Sequence, residues 1–567
     1  MESKHSEISP TDSATEKRPG AMENKHIDRT SSTDSATEKR PVTTNDDVQI
    51  THDARFIITF TFVCLCQFLV AIDLVIVASA LPGIATGLHA TSIQAYWCGT
   101  GYIFAQCVTQ PLYGTFSEIF GRKVPLLLAI LVFLLASILC ARAETIEWLI
   151  ATRVIQGVGG GGLLTMTSII TADMTTLRER GKFISYTSMA YAVGCAIGTP
   201  LGAAFAEHST WRWCFYINIP ICVIIFAGIY FFLHLELEKA SLRDRFWRID
   251  WLGMVVFVGS TVSLLLGVTG GGVLYPWNSA STITPLVIGG IGVCAFVVIE
   301  GYVSPRPMMP LGIFADHNAK IGFFNSFCHG FILLLVNYYL IIYFLGAKRF
   351  GLLHSAVDTM PATVIVSPFA YIAGAAMAKT KKLRVLLWAG WALAVGGLAA
   401  FSTLSPSSNQ GKQIGWQVLV AGGVGFLYST IALLCQARQP DELQSIAINI
   451  FTFFRSLGQT FGIAVGSTVF QNQFRRAVQG KHLPAAFQIT AQDAESAFEP
   501  IGHFPESVVG AYREIYAKSL QALWYVGVGV AGIAFLTSLL VTSTSLDRGL
   551  TSKQRFVSKK REGQEVS

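Results

Sequence analysis

The chain has 567 residues, of which 52% are hydrophobic and 14% are charged, with a formal net charge of +7. A soluble globular chain carries roughly 25% charged residues, and the mean hydropathy of +0.49 departs in the same direction. This composition excludes an ordinary soluble protein and predicts an integral membrane protein. Positive charge in loops on the cytoplasmic side explains the net charge better than nucleic-acid binding does.

Residues 1–54 are polar and poor in aromatic side chains, and they contain the segment TDSATEKRP twice, at 11–19 and 33–41. Such a composition cannot bury a hydrophobic core. We therefore predict that residues 1–54 form a disordered cytoplasmic tail. The first apolar run begins near residue 56, so we expect no signal peptide.

Long apolar runs recur along the rest of the chain, and about 20 helical residues are needed to cross ~30 Å of hydrocarbon. The sequence predicts an all-α membrane protein of about fourteen transmembrane helices in a 6+2+6 arrangement. The spans lie near 57–81, 94–116, 124–142, 148–170, 184–206, 215–234, 251–270, 283–303, 321–345, 359–378, 384–404, 415–436, 445–470 and 519–542.

This span pattern divides the chain into two bundles. An N-terminal six-helix bundle covers 55–235, a linker with two extra helices covers 236–304, and a C-terminal six-helix bundle covers 305–545. A loop near 471–518 interrupts the second bundle, and 546–567 form a basic tail. The basic linker segment LELEKASLRDRFWRID is read either as an interfacial helix or as a solvated linker.

Basic residues predict the orientation in the membrane. Loops after even-numbered spans carry Lys and Arg, for example Arg122 with Lys123 and Lys381 with Lys382, whereas the loop at 83–93 has none. Because Lys and Arg accumulate in cytoplasmic loops, both termini are predicted to be cytoplasmic. The 471–518 loop is then extracellular.

The loop between spans 2 and 3 reads GTFSEIFGRKVPLL and contains Gly114, Glu118, Gly121, Arg122 and Lys123. A carboxylate at the end of span 2 can accept hydrogen bonds from helix N–H groups or from an Arg of a neighbouring span. It could thereby latch one conformation of the protein. The alternative is an ordinary basic turn.

Two charged residues lie inside predicted spans: Asp73 in span 1 and Arg153 in span 4, the latter followed by Gln156 and Gly157. A charge inside a span costs ~2.5–3.5 kcal/mol on insertion scales. Counting 1.5 Å per residue puts the two at depths within ~3 Å of each other. We predict a proton-sensitive pair. The alternatives are that Arg153 extends to the interface and that Asp73 bonds to backbone.

Span 5 contains Gly194, Gly198, Pro200 and Gly202. Glycines four residues apart form a flat helix face, and proline removes one backbone hydrogen bond. The pattern predicts a bendable helix packed closely against a neighbour.

Other polar residues in spans either line a cavity or make hydrogen bonds between helices, which are worth ~0.6 kcal/mol each. The cavity candidates are Gln106, Gln110, Asn337, Asn449, Arg455 and Gln459. For His329 we expect a structural role.

These motifs resemble those of the major facilitator superfamily. The 114–127 loop is similar to the signature G-x-L-[AS]-D-x-x-G-[RK]-[RK], and Arg153 to Gly157 to R-x-x-Q-G. The span 5 segment resembles an antiporter motif, with Thr199 in its proline position. With the two extra spans, the chain resembles the fungal fourteen-spanner drug:proton antiporter family, which includes toxin and secondary-metabolite efflux pumps.

The resemblance implies a secondary transporter, not an enzyme, that exports a small organic molecule in exchange for protons by rocking two bundles. It implies no cofactor, no metal and no nucleic-acid partner, and a monomer in the plasma membrane or a vacuolar membrane. An importer of the same fold, for example for iron chelates, is the first alternative. A membrane-bound enzyme or receptor is the second, and the absence of a histidine cluster disfavours it.

The polar tail generates a first prediction: the N-terminal 50 residues are dispensable for transport, because their composition cannot fold alone. A truncated chain starting near Asp53 is expected to insert and to transport at the rate of the full chain. Flux is measured beside surface abundance. Loss of transport at normal abundance would show that the tail takes part.

Overall fold

The computed structural model describes residues 53–234 and 249–543, apart from residues 273, 482, 491–493 and 496. The described elements are helices, with one isolated bridge between Gly271 and Tyr275. The predicted N-terminal tail up to residue 52, most of the basic linker and the C-terminal tail from residue 546 lie outside the described residues.

Six long helices form the N-terminal bundle. They are α1 Ala54–Gly87, α2 Ser92–Phe120, α3 Lys123–Ala141, α4 Ile146–Met174, α5 Leu177–His208 and α6 Asn218–Phe232. Threonine N-caps begin three of them, at Thr91, Thr145 and Thr176, each accepting a backbone N–H of the first turn. These caps satisfy donors that a helix start leaves free. Helix α1 packs on α5, and α4 packs on α2 and α3.

Two extra helices follow, α7 Trp251–Gly270 and α8 Ala280–Val298, which continues as a π-helical turn over Ile299–Val303. They pack on each other, and α7 also contacts α2 of the N-terminal bundle. Glu300 is buried at the end of this pair. Its carboxylate accepts the backbone N–H groups of Met308 at 3.2 Å and Met309 at 2.9 Å.

The C-terminal bundle contains seven long helical segments. They are α9 His317–Ile342, α10 Leu352–Val364, α11 Val366–Thr380, α12 Leu383–Phe401, α13 Gln410–Gln436, α14 Gln444–Gly480 and α15 Glu506–Leu539. The predicted span 10 corresponds to α10 and α11, which meet at Ile365. Pro361 and Pro368 flank this break, as expected for residues that remove backbone donors.

Twelve helices of the described part are long and apolar enough to cross a membrane. Helices α2 and α14 correspond to two further predicted spans but are less apolar, because both carry several polar side chains. The total of fourteen therefore stays a prediction. Helices α14 and α15 extend well beyond their predicted ends, so the loop between them is 481–505 and not 471–518.

Glu495 holds this loop against the C-terminal bundle. Its half-buried carboxylate accepts hydrogen bonds from Ser467 at 2.6 Å, Tyr338 at 3.1 Å and Tyr339 at 3.3 Å. Burial raises the pKa of Glu495 above its ordinary value, because a low-dielectric environment disfavours the charged carboxylate. The loop thus covers the end of the bundle opposite the basic loops.

The glycines of α5 allow its backbone to touch α1. A methyl group added at Gly194 would overlap the carbonyl oxygen of Phe68, and one at Gly202 would overlap that of Ile76. Gly198 faces Ile72 in the same way. The three glycines therefore form one contact row, and α5 continues as helix through Pro200.

This contact row generates a second prediction. The substitution Gly202→Val should destabilise the N-terminal bundle, because overpacking a tight contact costs about 1–3 kcal/mol or more. Gly259→Val is the matched control, since open space surrounds Gly259 on α7. Fluorescence-detected size exclusion after a heat step should show a lower unfolding midpoint for Gly202→Val alone. Equal midpoints would contradict the close packing of α1 on α5.

Candidate functional site

Asp73 and Arg153 meet inside the N-terminal bundle. Arg153 Nη1 lies 2.7 Å from Asp73 Oδ2, and the two side chains are 1% and 0% exposed. Asp73 lies on α1 and Arg153 on α4, so the pair joins two helices. The predicted contact is present in the structure.

Other buried side chains complete the pair. Gln156 Nε2 donates to Asp73 Oδ1 at 2.8 Å, and Asn218 Nδ2 donates to the same oxygen at 2.7 Å. Arg153 also donates to the oxygen of Gln156 at 2.7 Å, and its guanidinium lies 4.3 Å from the centre of the Tyr102 ring. Gln156 donates further to Ser137. The network therefore connects α1, α2, α3, α4 and α6.

This arrangement suits a charged pair in a low-dielectric interior. Breaking a buried pair by removing one partner costs about 3–5 kcal/mol, because it leaves an uncompensated charge. Among the described residues, the fully buried acidic side chains are Asp73, Asp173 and Glu300. Asp73 is the one of these three that lies deep within a bundle, away from the ends of its helix.

A second polar cluster surrounds Arg122 at the basic end, which we define as the end that carries the α2–α3 and α11–α12 loops. Arg122 contacts Asp173 of α4 at 2.8 Å and Glu118 at 2.9 Å. Its Nη2 donates to Ser445 of α14 at 2.9 Å. Arg122 thus links the α2–α3 loop to the other bundle.

Among the spans that the structure describes, Glu118 bonds to no neighbouring one, although the sequence suggested that it might. It pairs within its own turn, four residues before Arg122, and its side chain is 38% exposed. Asp173 supplies the carboxylate from the neighbouring helix. The other motif residues support this turn: Gly121 ends α2 with a φ of 82°, a conformation that favours glycine. Lys123 donates to the carbonyl oxygen of Tyr230 at 2.7 Å.

Further hydrogen bonds join the two bundles near the basic end. Arg180 of α5 bonds to Gln436 and Gln444. Ser185 of α5 donates to the Ala370 carbonyl at 2.8 Å, and Ser367 donates to the carbonyl of Ser188 at 3.0 Å. As far as the structure describes them, the hydrogen bonds between bundles lie from the basic end to the middle of the helices.

Five of the six cavity candidates lie on α2 and α14, which pack against each other between the bundles. These five are Gln106, Gln110, Asn449, Arg455 and Gln459. Gln110 donates to Ser456 at 2.8 Å, and Asn449 donates to the Pro111 carbonyl at 3.2 Å and lies against Gly114. Asn337 lies apart, bonded to Leu333 and Thr363 within the C-terminal bundle.

Sequence reasoning missed Asp173, Asn218 and Tyr102. Asp173 had a detectable signal, since it is a carboxylate near the end of a predicted span, as Glu118 is. Asn218 and Tyr102 had none, because one polar residue at a helix start and one aromatic residue in a span are common. The sequence also contained no sign that α4 contacts α2 closely where Gly157 meets the Tyr102 carbonyl. That contact depends on which helices pack together.

The chain matches known proteins over most of its length. The family model described as Major Facilitator Superfamily matches residues 63–463. The chain is 34% identical to "MFS transporter L2" of Phoma sp. over 507 residues, which cover 89% of this chain and 85% of that protein. It is 30% identical to "MFS-type efflux pump MMF1" of Pseudozyma antarctica, over 89% of this chain and 94% of that protein.

Two further comparisons agree. The chain is 31% identical to "Efflux pump FUS6" of Gibberella moniliformis over 504 residues, covering 87% of this chain and 89% of that protein. The fold is similar to that of the human transporter MFSD10, with a TM-score of 0.54 and 14% identity over 85% of this chain and 98% of that one. The family match over residues 63–463 and the similarity to these relatives together show that this multi-pass membrane protein belongs to the major facilitator superfamily.

Proposed function

We propose that this protein exports small organic molecules, such as toxins, drugs or secondary metabolites, in exchange for protons. It acts as a monomer in the plasma membrane, with both termini in the cytoplasm. The basic end is then the cytoplasmic end, because Lys and Arg accumulate in cytoplasmic loops. The 481–505 loop that Glu495 anchors is then extracellular.

The observation that carries this proposal is the interface between the two bundles. Single hydrogen bonds such as those of Ser185 and Ser367 connect the bundles toward the basic end. The hydrophobic cluster at the other end of the N-terminal bundle, which includes Ile84, Trp211 and Phe215, contains no residue of the C-terminal bundle among those described. In this arrangement the protein is closed toward the cytoplasm. It would open on that side when the two bundles rock around a midplane site.

The direction of transport is supported by the relatives and by α5. Proteins that are 30% and 31% identical over nearly the whole chain are named efflux pumps. The segment that holds Gly194, Gly198 and Gly202 resembles a motif of exporters, with Thr199 in its proline position, and these glycines let α5 approach α1 closely. The importer alternative has no comparable support.

The Asp73–Arg153 pair is the proposed site of proton coupling. A proton on Asp73 would cancel one charge of the pair and weaken the hydrogen bonds from Arg153, Gln156 and Asn218. Because those donors come from α4 and α6, the change would alter how three helices of the bundle pack. Proton binding would thereby favour one of the two bundle arrangements.

Export itself is tested with purified protein in liposomes that carry an imposed pH gradient. The probes are planar fluorescent compounds that share an anthracene body and are acidic, neutral or basic: 9-anthracenecarboxylate, its methyl ester and 9-aminomethylanthracene. At least one probe should accumulate uphill beyond its level in protein-free liposomes under the same pH gradient, and a protonophore should abolish this excess. Unchanged distribution of all three probes would count against export.

Removing the carboxylate of Asp73 generates the next prediction. The substitution Asp73→Asn keeps the shape of the side chain, so uphill, pH-driven flux should be lost while downhill exchange of probe continues. Arg153→Lys should also impair coupling, because an ammonium lacks the planar fork of the guanidinium. Both fluxes are measured per molecule of inserted protein.

A purely structural role for the pair predicts something different. The double variant Asp73→Asn with Arg153→Gln leaves no uncompensated buried charge, so it should restore protein yield without restoring uphill flux. Asp358→Asn, which removes a half-buried carboxylate from α10, is the matched control and should keep coupling. Uphill pumping by a well-inserted Asp73→Asn variant with an unchanged pH profile would refute the coupling role.

A further inference from the structure

Arg455 is a buried cation without an acidic partner. Its side chain lies on α14, it is 5% exposed, and among the described residues it forms no ion pair. Its Nε has no hydrogen-bond partner. A buried charge is costly unless it is paired and hydrogen-bonded. This guanidinium can therefore bind an acidic group of a ligand.

Aromatic rings surround the guanidinium. Its central carbon lies 4.8 Å from the centre of the Tyr428 ring and 5.5 Å from that of the Phe451 ring. Both contacts stabilise a cation, each by roughly 0.5–2 kcal/mol, which is less than the full cost of burying it. His329 has no carboxylate that could pair with Arg455, and its Nε2 already bonds to the Val424 carbonyl at 3.1 Å.

This cluster faces the other bundle. Tyr191 of α5 is half-buried and close enough to interact electrostatically with both Arg455 and Tyr428. Gln110 of α2 reaches Ser456, the next residue of α14, at 2.8 Å, and its own carbonyl oxygen has no partner. The guanidinium therefore lies where the two bundles meet.

Arg455 lies at the depth in the membrane where transported substrates bind. Arg455 comes eleven residues after α14 begins at Gln444, which at 1.5 Å per residue is about 16 Å. Arg455 also lies near the centre of the predicted span 445–470, and therefore near the middle of a hydrocarbon layer about 30 Å thick. Substrate sites of secondary transporters lie at this depth, between the two repeats.

We propose that Arg455 selects organic anions: molecules with a carboxylate or similar acidic group attached to a flat apolar body. The planar fork of the guanidinium binds a carboxylate through two parallel hydrogen bonds. The apolar body then lies against Tyr428 and Phe451. This inference rests on the proposed export function and adds the chemical class of the substrate.

The same geometry excludes cations. A basic molecule at this site would place a second positive charge beside Arg455 in a low-dielectric environment, where like charges repel strongly. No described acidic side chain is buried near the site to offset that repulsion, since the buried acids are Asp73, Asp173 and Glu300. Selectivity for anions thus comes from attraction of one class and repulsion of the other.

The test uses the full-length purified protein and the three anthracene probes, which share one ring system and differ in charge. Binding is measured by quenching of tryptophan fluorescence at neutral pH. The wild-type protein should bind 9-anthracenecarboxylate at least ten-fold more tightly than its methyl ester, and the aminomethyl compound more weakly than either. Equal affinity for acid and ester, preference for the amine, or no binding of any probe would overturn the proposal.

Two variants of Arg455 and one control sharpen the result. Arg455→Gln should reduce the preference for acid over ester to about one-fold, and Arg455→Lys should keep part of it, since it retains the charge but not the fork. Arg475→Gln removes an exposed arginine of the same helix and should leave the preference intact. Preserved selectivity in a monodisperse Arg455→Gln protein would overturn the role of Arg455.

Flux measurements separate this proposal from the export function. Uphill flux of the ester or amine with no preference for the acid would refute anion selection and leave export standing. Absence of uphill flux for all three probes would instead count against export. If Arg455→Gln cannot be isolated as a monodisperse protein, the wild-type comparison of acid with ester decides the question by itself.

Discussion

The ion pair between Asp73 and Arg153 is the interaction on which the N-terminal bundle depends. Two charges that would each be costly alone lie 2.7 Å apart and are almost fully buried. Gln156 and Asn218 both donate to the other oxygen of the carboxylate. Because the acceptor lies on α1 and the donors lie on α4 and α6, the pair and its hydrogen bonds connect three helices of the bundle.

Contacts within a bundle and contacts between bundles differ in strength. Within the N-terminal bundle, α5 rests on the backbone of α1 through Gly198 and Gly202, and a buried pair is worth several kcal/mol if broken. Between bundles, single hydrogen bonds such as that of Ser367, worth ~0.6 kcal/mol each in a membrane protein, accompany helix packing, for example where Gly181 of α5 meets Gly374 of α11. Rocking of the bundles would have to break these contacts and leave the buried pair of the N-terminal bundle intact.

The two bundles use buried arginine in opposite ways. Arg153 is neutralised by a carboxylate inside its own bundle, whereas Arg455 forms no ion pair with any described residue and lies at the boundary between bundles. Charge that is satisfied internally stabilises the protein, and charge that is left unsatisfied at a midplane boundary is available to a ligand. The two proposals together assign proton coupling to one bundle and substrate recognition to the other.

The sequence by itself determined the class of the protein and most of its helices, because a bilayer requires long apolar segments that no soluble protein shares. It also placed Asp73 and Arg153 at similar depths, since depth along a helix can be counted from residue numbers alone, and the structure showed that α1 and α4 bring them together. Only the tertiary structure decided that Asp173 and not Glu118 bridges Arg122 to a neighbouring helix. It alone showed that Asn337 lies away from the bundle boundary while Arg455 lies at it. The physical reason is that depth is a property of one helix, whereas a partner depends on which helices pack together and on how each is rotated.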